Sequence, residues 1–332
     1  MTDISVVVGT YNRLAFIKKC VESAIRETNR PFRLYVTDAG STDGTVEYLK
    51  SVASDQIVPI LVGKKLGQAR AYNDVFRTVT TPYVCWISDD NEIVNGGLDL
   101  AAEILDRDRR IGMVALKVKD VQGPFVDAPY IGGVSSLGIL NVNQGMLRTE
   151  VLAEVGYFSE AFRDYGIDPD LTAKVLLAGH DIVYTRPVAI YHYRLWETDK
   201  SKPEYWTLRK KQERSRALYK AKYAKVMPLS PIWLAKNVVW RLIRDLLGAR
   251  LNLNGVKPIL GHIPRDWENY MTGRYISLFE AFQRKNKVYH LRQRAPRLFR
   301  PRTLPADPIP DAHSEEVRDP QTDLDASKAV RP

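Results

Sequence analysis

The stretch YVCWISDDNEI, residues 83–93, decides how the rest of the chain is read. Tyr83 to Ser88 is a short apolar run, too brief for a helix, and reads as a buried strand. It ends in two adjacent carboxylates, Asp89 and Asp90. Each raises the other's cost of being charged at the mouth of a buried strand. The pair therefore either closes a solvated turn or faces something positive.

Working outward, similar runs at 4–8, 33–37 and 57–62 alternate with helical patterns at 14–27, 43–53 and 66–79. Phe16, Cys20 and Ala24 in the first helix, and Ala71, Val75 and Val79 in the third, fall at helical spacing. Such alternation predicts an α/β fold with a mostly parallel, Rossmann-like central sheet and crossover helices. A helix at 97–108 and a strand at 111–118 follow. Glycines then accumulate between 120 and 148, predicting loops and shorter, antiparallel strands. Helices at 149–155 and 169–179 and strands within 181–193 complete a domain expected over 1–198.

In an open α/β sheet, ligands bind at the carboxyl ends of the strands. The first strand ends in GTYNR, giving Thr10, Tyr11 and Arg13; the second in DAGSTDGT, giving Asp38, Gly40, Ser41 and Asp43; the fourth in SDDN. Tyr11 can stack on a planar base, and Asp38 can accept from a base N–H or a ribose hydroxyl. Asn12 and Asp43 are expected as helix N-caps and Gly40 as a turn residue. Neither G-x-G-x-x-G nor a Walker loop is present. A nucleoside diphosphate would bring negative charge to this rim, so the acid pair either closes a solvated turn or takes a bridging Mg²⁺ or Mn²⁺.

VVVGTYNR, DAGSTDGT, LGQARAYN, SDDN, GYFSEAFRDYGIDPDL and YHYR occur in the order and spacing of family 2 glycosyltransferases, which this chain resembles over residues 3–195. The resemblance implies the GT-A fold and a nucleotide-sugar donor, UDP-linked in the first instance. It places Thr10, Tyr11 and Asp38 on the nucleoside, with Arg13 beside them. Arg70 falls near the nucleotide, helped by Lys64 and Lys65. SDDN is similar to the DxD motif, with Asp90 as the metal ligand and Asp89 near the ribose or sugar; Ser88 stands where the motif has its first acid. His192 matches a late histidine that completes the metal or diphosphate site, with Arg194 near the diphosphate. Asp168 matches the catalytic base, with Ile167 replacing the preceding glutamate. Asp170 is expected to cap the helix that follows Pro169. The loop NVNQGML, 141–147, is expected to line the donor sugar and acceptor entrance.

Charge divides the chain. Residues 200–300 hold 24 Lys/Arg against 6 Asp/Glu, net +18, leaving −8 on the remainder. A basic, aromatic-rich helical extension is expected over 199–300, including an amphipathic helix at 232–247. It fits an anionic membrane surface, docking on the catalytic domain, or nucleic acid, in that order. Residues 301–332, with six prolines and seven acids, are expected to be a disordered tail. Two cysteines, no leader after Met1 and no spanning run fit a cytoplasmic protein, peripheral on the inner face of the plasma membrane.

The expected activity is inverting sugar transfer to a glycan or lipid-linked acceptor in cell-envelope or exopolysaccharide synthesis. The rivals are a sugar nucleotidyltransferase, which wants a glycine-rich first loop, and a nucleic-acid-associated module with a decayed transferase site.

Overall fold

A computed structural model describes residues 2–128, 130, 131, 133, 134, 139–223, 292, 293, 295 and 304–307. The amphipathic segment at 232–247, with Trp233 and Trp240, lies outside the described residues, as does most of 301–332.

The first half alternates β1 (Ile4–Thr10), α1 (Leu14–Glu27), β2 (Phe32–Asp38), α2 (Thr45–Ser51), β3 (Ile57–Leu61), α3 (Gln68–Phe76) and β4 (Tyr83–Ser88). Then come β5 (Asn91–Ile93), α4 (Gly97–Arg107), β6 (Ile111–Ala115), β7 (Val118–Gln122), β8 (Gly133–Val134), β9 (Leu140–Asn141) and β10 (Gly145–Arg148). The chain continues through α5 (Thr149–Glu154), α6 (Ile167–Ala178), β11 (Asp181–Tyr184), β12 (Ile190–Tyr193), α7 (Pro203–Tyr223) and β13 (Arg292–Gln293). Within the described residues, the ends of the expected helices fall within three residues of those found.

The main sheet runs β13-β11-β6-β10-β4-β1-β2-β3. β1 pairs in parallel with β2 on one side and β4 on the other, so the winding reverses beside β1. A crevice opens at such a reversal, beyond the carboxyl ends of the strands. β10 runs antiparallel between β4 and β6, as the looser 120–148 region led one to expect.

The strands are apolar at successive positions because both faces of the sheet are covered. Val6 and Val8 of β1 and Cys85 and Ile87 of β4 pack with Ile17, Cys20, Val21 and Ala24 of α1 and with Leu98 and Ala102 of α4. Val7 and Trp86 point the other way, onto Tyr72, Val75 and Phe76 of α3 and Leu171 and Val175 of α6. Each such side chain, fully buried, stabilises the fold by about 1.5–3 kcal/mol. These two layers hold the crevice rigid. Tyr72 adds a local clamp: its hydroxyl accepts from Gly9 N at 2.8 Å and donates to Ile87 O at 2.7 Å.

A second, three-stranded sheet, β5-β12-β7, crosses beside the crevice. Its register sets His192 opposite Asn91 on β5 and opposite Asp120 on β7.

Three capping expectations are revised. Asn12 does not cap α1; its Oδ1 accepts from Thr42 N at 2.8 Å, tying the β1 loop to the β2 loop. Asp43 caps α1 as well as its own turn, accepting from Leu14 N at 3.0 Å and Thr45 N at 3.1 Å. Asp170 is not a helix cap. It is fully buried and accepts from Lys222 Nζ and from Tyr223 Oη, each at 2.7 Å. A carboxylate with two cationic or hydroxyl partners on another helix gains more there than from its own helix end.

α7 thus packs on the α/β core. Tyr219 and Tyr223 are buried in the same apolar layer as Tyr72 and Trp86. Part of the stretch assigned to the extension also enters the main sheet, where β13 pairs antiparallel with β11.

Candidate active site

A cavity of about 1400 Å³ lies over the carboxyl ends of β1, β2 and β4. Thr10, Tyr11, Arg13, Asp38, Lys64, Lys65, Arg70, Asp89, Asp90, Asp168, His192 and Arg194 all line it. The three loops expected to meet on one rim do so.

The first side of the rim is the β1 loop. Tyr11 projects beside Lys65, whose Nζ sits 3.9 Å from the ring centroid. Asp38, at the end of β2, is buried; its Oδ1 accepts from Gly40 N at 2.9 Å and Ser41 N at 3.0 Å. These bonds aim the carboxylate without using all its lone pairs. Gly40 is required here: its φ is +93°, and a Cβ would stand 2.8 Å from Gly63 O.

The acid pair lies across from it. Thr10 Oγ1 donates to Asp89 Oδ2 at 2.9 Å, and Arg13 Nη1 reaches Asp89 Oδ1 at 3.0 Å and Asp90 Oδ2 at 3.2 Å. The something positive that the sequence demanded is therefore, in part, Arg13. Their surroundings shift the two acids in opposite directions. Burial pushes Asp89 up to about 6, with Arg13 opposing and Asp90 adding to the rise. Burial also raises Asp90, but the hydrogen bond and charge of His192, with Arg13, outweigh it and hold Asp90 below the usual carboxylate range.

His192 Nε2 lies 3.3 Å from Asp90 Oδ1, while its Nδ1 lies 2.9 Å from Asp120 Oδ1. Asp120 is fully buried and also takes Arg194 Nε at 2.7 Å. Burial lowers the His192 pKa, but the hydrogen bonds from Asp120 and Asp90 win and raise it. Asp120 thus orients both the histidine and the arginine. The sequence reading did not include it, because its partners lie 72 and 74 residues further along the chain.

Asp168 stands in the first turn of α6, with part of its surface on the cavity. Burial raises its pKa to about 7, against its own backbone N–H and the Arg194 charge. The preceding turn reaches across to α3: Asp164 Oδ1 accepts from Gln68 N and Arg163 O from Ala69 N, both at 2.8 Å. These bonds satisfy the first N–H groups of α3 and seat Arg70 on the rim. Gln144, in the NVNQGML loop, lines the cavity and is buried, and its Oε1 has no hydrogen-bond partner among the described residues.

A switch-point crevice rimmed by an aromatic, paired acids and a histidine defines an α/β domain of the nucleotide-binding kind. The family description Glycosyl transferase family 2 matches residues 5–161 of this chain. A relative from Rickettsia bellii named "Uncharacterized glycosyltransferase" is 23% identical over 133 residues, which are 40% of this chain and 19% of that protein. The teichoic acid poly(glycerol phosphate) polymerase of Staphylococcus epidermidis is 28% identical over 98 residues, 29% of this chain and 14% of that protein. The chain therefore spans less than a fifth of the length of either. Among solved structures, the mannosyltransferase PcManGT of Pyrobaculum calidifontis, in complex with GDP-Man and Mn²⁺, superposes with a TM-score of 0.53 at 19% identity. That match covers 83% of this chain and 87% of that one, and the shared fold is GT-A.

Proposed function

We propose that this cavity binds a nucleoside diphosphate sugar with a divalent cation and passes the sugar, with inversion, to a hydroxyl of a glycan or lipid-linked acceptor. The observation that carries the reading is the continuous chain of contacts Thr10–Asp89–Arg13–Asp90–His192–Asp120 at the mouth of the crevice. Cell-envelope synthesis is the setting, supported by the polymerase relative. The catalytic unit is taken as residues 1–198. The protein works on the inner, cytoplasmic face of the plasma membrane, held there by basic residues after 199. Among the described residues no helix is long and apolar enough to cross a membrane.

The residues fit a hard cation. Two neighbouring ligands of an octahedral Mg²⁺ or Mn²⁺, each at about 2.1 Å, stand about 3 Å apart. Asp90 Oδ1 and His192 Nε2 are separated by 3.3 Å. Among the described residues no cage of three or more His, Cys, Asp or Glu forms, which suits an ion that takes its remaining ligands from phosphate and water. Such a cation offsets the charge of the departing diphosphate.

In this reading Tyr11 stacks on the base and Asp38 accepts from the nucleoside. Lys64, Lys65 and Arg70 surround the phosphates, and the orphaned Gln144 Oε1 accepts from a donor-sugar hydroxyl. Asp168 takes the acceptor hydroxyl proton as that oxygen bonds to the anomeric carbon; the bond from that carbon to the diphosphate oxygen breaks and its electron pair leaves with the diphosphate.

The test is a thermal-shift series with UDP and GDP, with and without Mn²⁺. Stabilisation by one nucleotide plus metal, lost in Asp90→Ala, is expected; indifference of the parent to every nucleotide would remove the proposal. Asp120→Ala should weaken Mn²⁺ binding about 10–100-fold, because His192 loses the acceptor that sets its tautomer. A Mn²⁺ titration in the presence of the nucleotide reads this, and an unchanged affinity would make Asp120 a packing residue only.

A further inference from the structure

One wall of the cavity is α7, and the side chains along its open rim are polar and charged, with Lys210 and Arg214 exposed and Lys211 half-buried. Thr207, Lys210, Lys211, Arg214, Ser215 and Leu218 line the cavity. Their spacing of three and four places them on a single stripe of the helix. A helix laid on a protein ordinarily turns its apolar stripe inward. Here the apolar contacts are displaced to the end of the helix, at Tyr219 and Tyr223, and the middle turns face the cavity with three cations. None of the three forms an ion pair with a described residue.

The stripe packs against the turn that leads into the candidate base. Gly166, two residues before Asp168, has φ +85°, and a Cβ added there would lie 2.1 Å from Ser215 Oγ. No side chain larger than hydrogen fits between the start of α6 and the stripe. Lys210, Lys211 and Arg214 therefore belong to the Asp168 side of the cavity, whereas Lys65, over Tyr11, belongs to the nucleoside side. A donor diphosphate brings two to three negative charges, and the cation with Lys64, Lys65 and Arg70 already answers them. The charge on α7 is left for the other substrate.

We infer that the acceptor is anionic: a glycan carrying phosphate esters, held through those phosphates by Lys210, Lys211 and Arg214 so that a neighbouring hydroxyl meets Asp168. The inference rests on the transferase reading above and names the substrate class of its second subsite. Arginine and lysine together supply several donors to a phosphate without demanding one fixed orientation, which suits a flexible repeating acceptor.

The test uses the full chain and the triple variant Lys210→Gln, Lys211→Gln, Arg214→Gln. The probes are a phosphorylated oligosaccharide, the same oligosaccharide after phosphatase treatment, and phosphatidylglycerol vesicles. Binding is measured by fluorescence anisotropy with UDP, GDP and Mn²⁺ present, and donor consumption is followed separately. The parent should bind the phosphorylated probe at least about ten-fold tighter than the stripped one, a preference that fades with added salt. The variant should lose that preference while keeping its nucleotide-dependent thermal shift. Competition by the vesicles would locate the phosphate on a lipid-linked acceptor; its absence would locate it on the glycan itself. Equal binding of both oligosaccharides by the parent, with donor consumption intact, overturns this inference alone. A parent that neither binds nucleotide nor consumes donor overturns the transferase reading and this inference with it.

Discussion

Asp168→Asn should lower the rate of transfer by about 10²–10⁴-fold while leaving nucleotide binding as it was. The amide keeps the size and the position in the first turn of α6 but cannot accept the acceptor's proton. The pH dependence follows from the same carboxylate. Burial raises its pKa to about 7, so below that value most of the population holds a proton and is inactive as a base. The transfer rate of the parent should climb about ten-fold per pH unit up to near 7 and then level off. The residual rate of the Asn variant should lack that limb. Initial-rate measurements across pH 5–9 at saturating donor would show both effects. A variant within about ten-fold of the parent, or a flat parental profile, would remove Asp168 from its role.

The second large effect is on stability. Asp170→Ala should cost about 3–5 kcal/mol, since removing one member of a buried ion pair leaves its partners charged and unsolvated. Asp170 Oδ2 lies 3.7 Å from Lys174 Nζ, and Oδ1 lies 2.7 Å from Lys222 Nζ. Lys174 already titrates below the usual lysine value, chiefly through burial, with Asp170 the largest opposing influence. Lys222 has a second carboxylate in Asp307, at 2.7 Å, but that acid is half exposed. Denaturant unfolding of the full chain measures the loss. Adding Lys222→Met to the Ala variant should recover part of it, because the stranded charge goes with the mutation. A loss under about 1 kcal/mol would mean that both lysines reach water once the acid is gone. The variant should also loosen α7, so its acceptor KM should rise more than its donor KM.

The parallel half of the sheet was legible because its strands are apolar on both faces and its helices keep a regular stripe. The rim residues were legible for a related reason: the carboxyl end of each strand is marked by the turn chemistry that follows it, as in DAGSTDGT. Asp168 stood out through GIDPDL rather than through charge alone. Asp120 did not, since its partners His192 and Arg194 are 72 and 74 residues away and nothing local in VKDVQ names them. Asp170 was misread because an acid beside a proline at a helix start looks like a cap, and only the fold brings Lys222 to it. The basic run of α7 was legible as a charged helix. Its place on the cavity rim was not, because a polar stripe bordering a cavity and one facing open solvent have the same spelling.

The small sheet has one further consequence. Asp120, His192 and the residue after Asp90 are neighbours in a single ladder row, so the catalytic rim is gauged by main-chain pairing and not by the lengths of the surrounding loops. Slipping β7 by one residue would present Lys119 or Val121 to His192 and abolish that gauge. The spacing of these three side chains is thus inherited from main-chain hydrogen bonding.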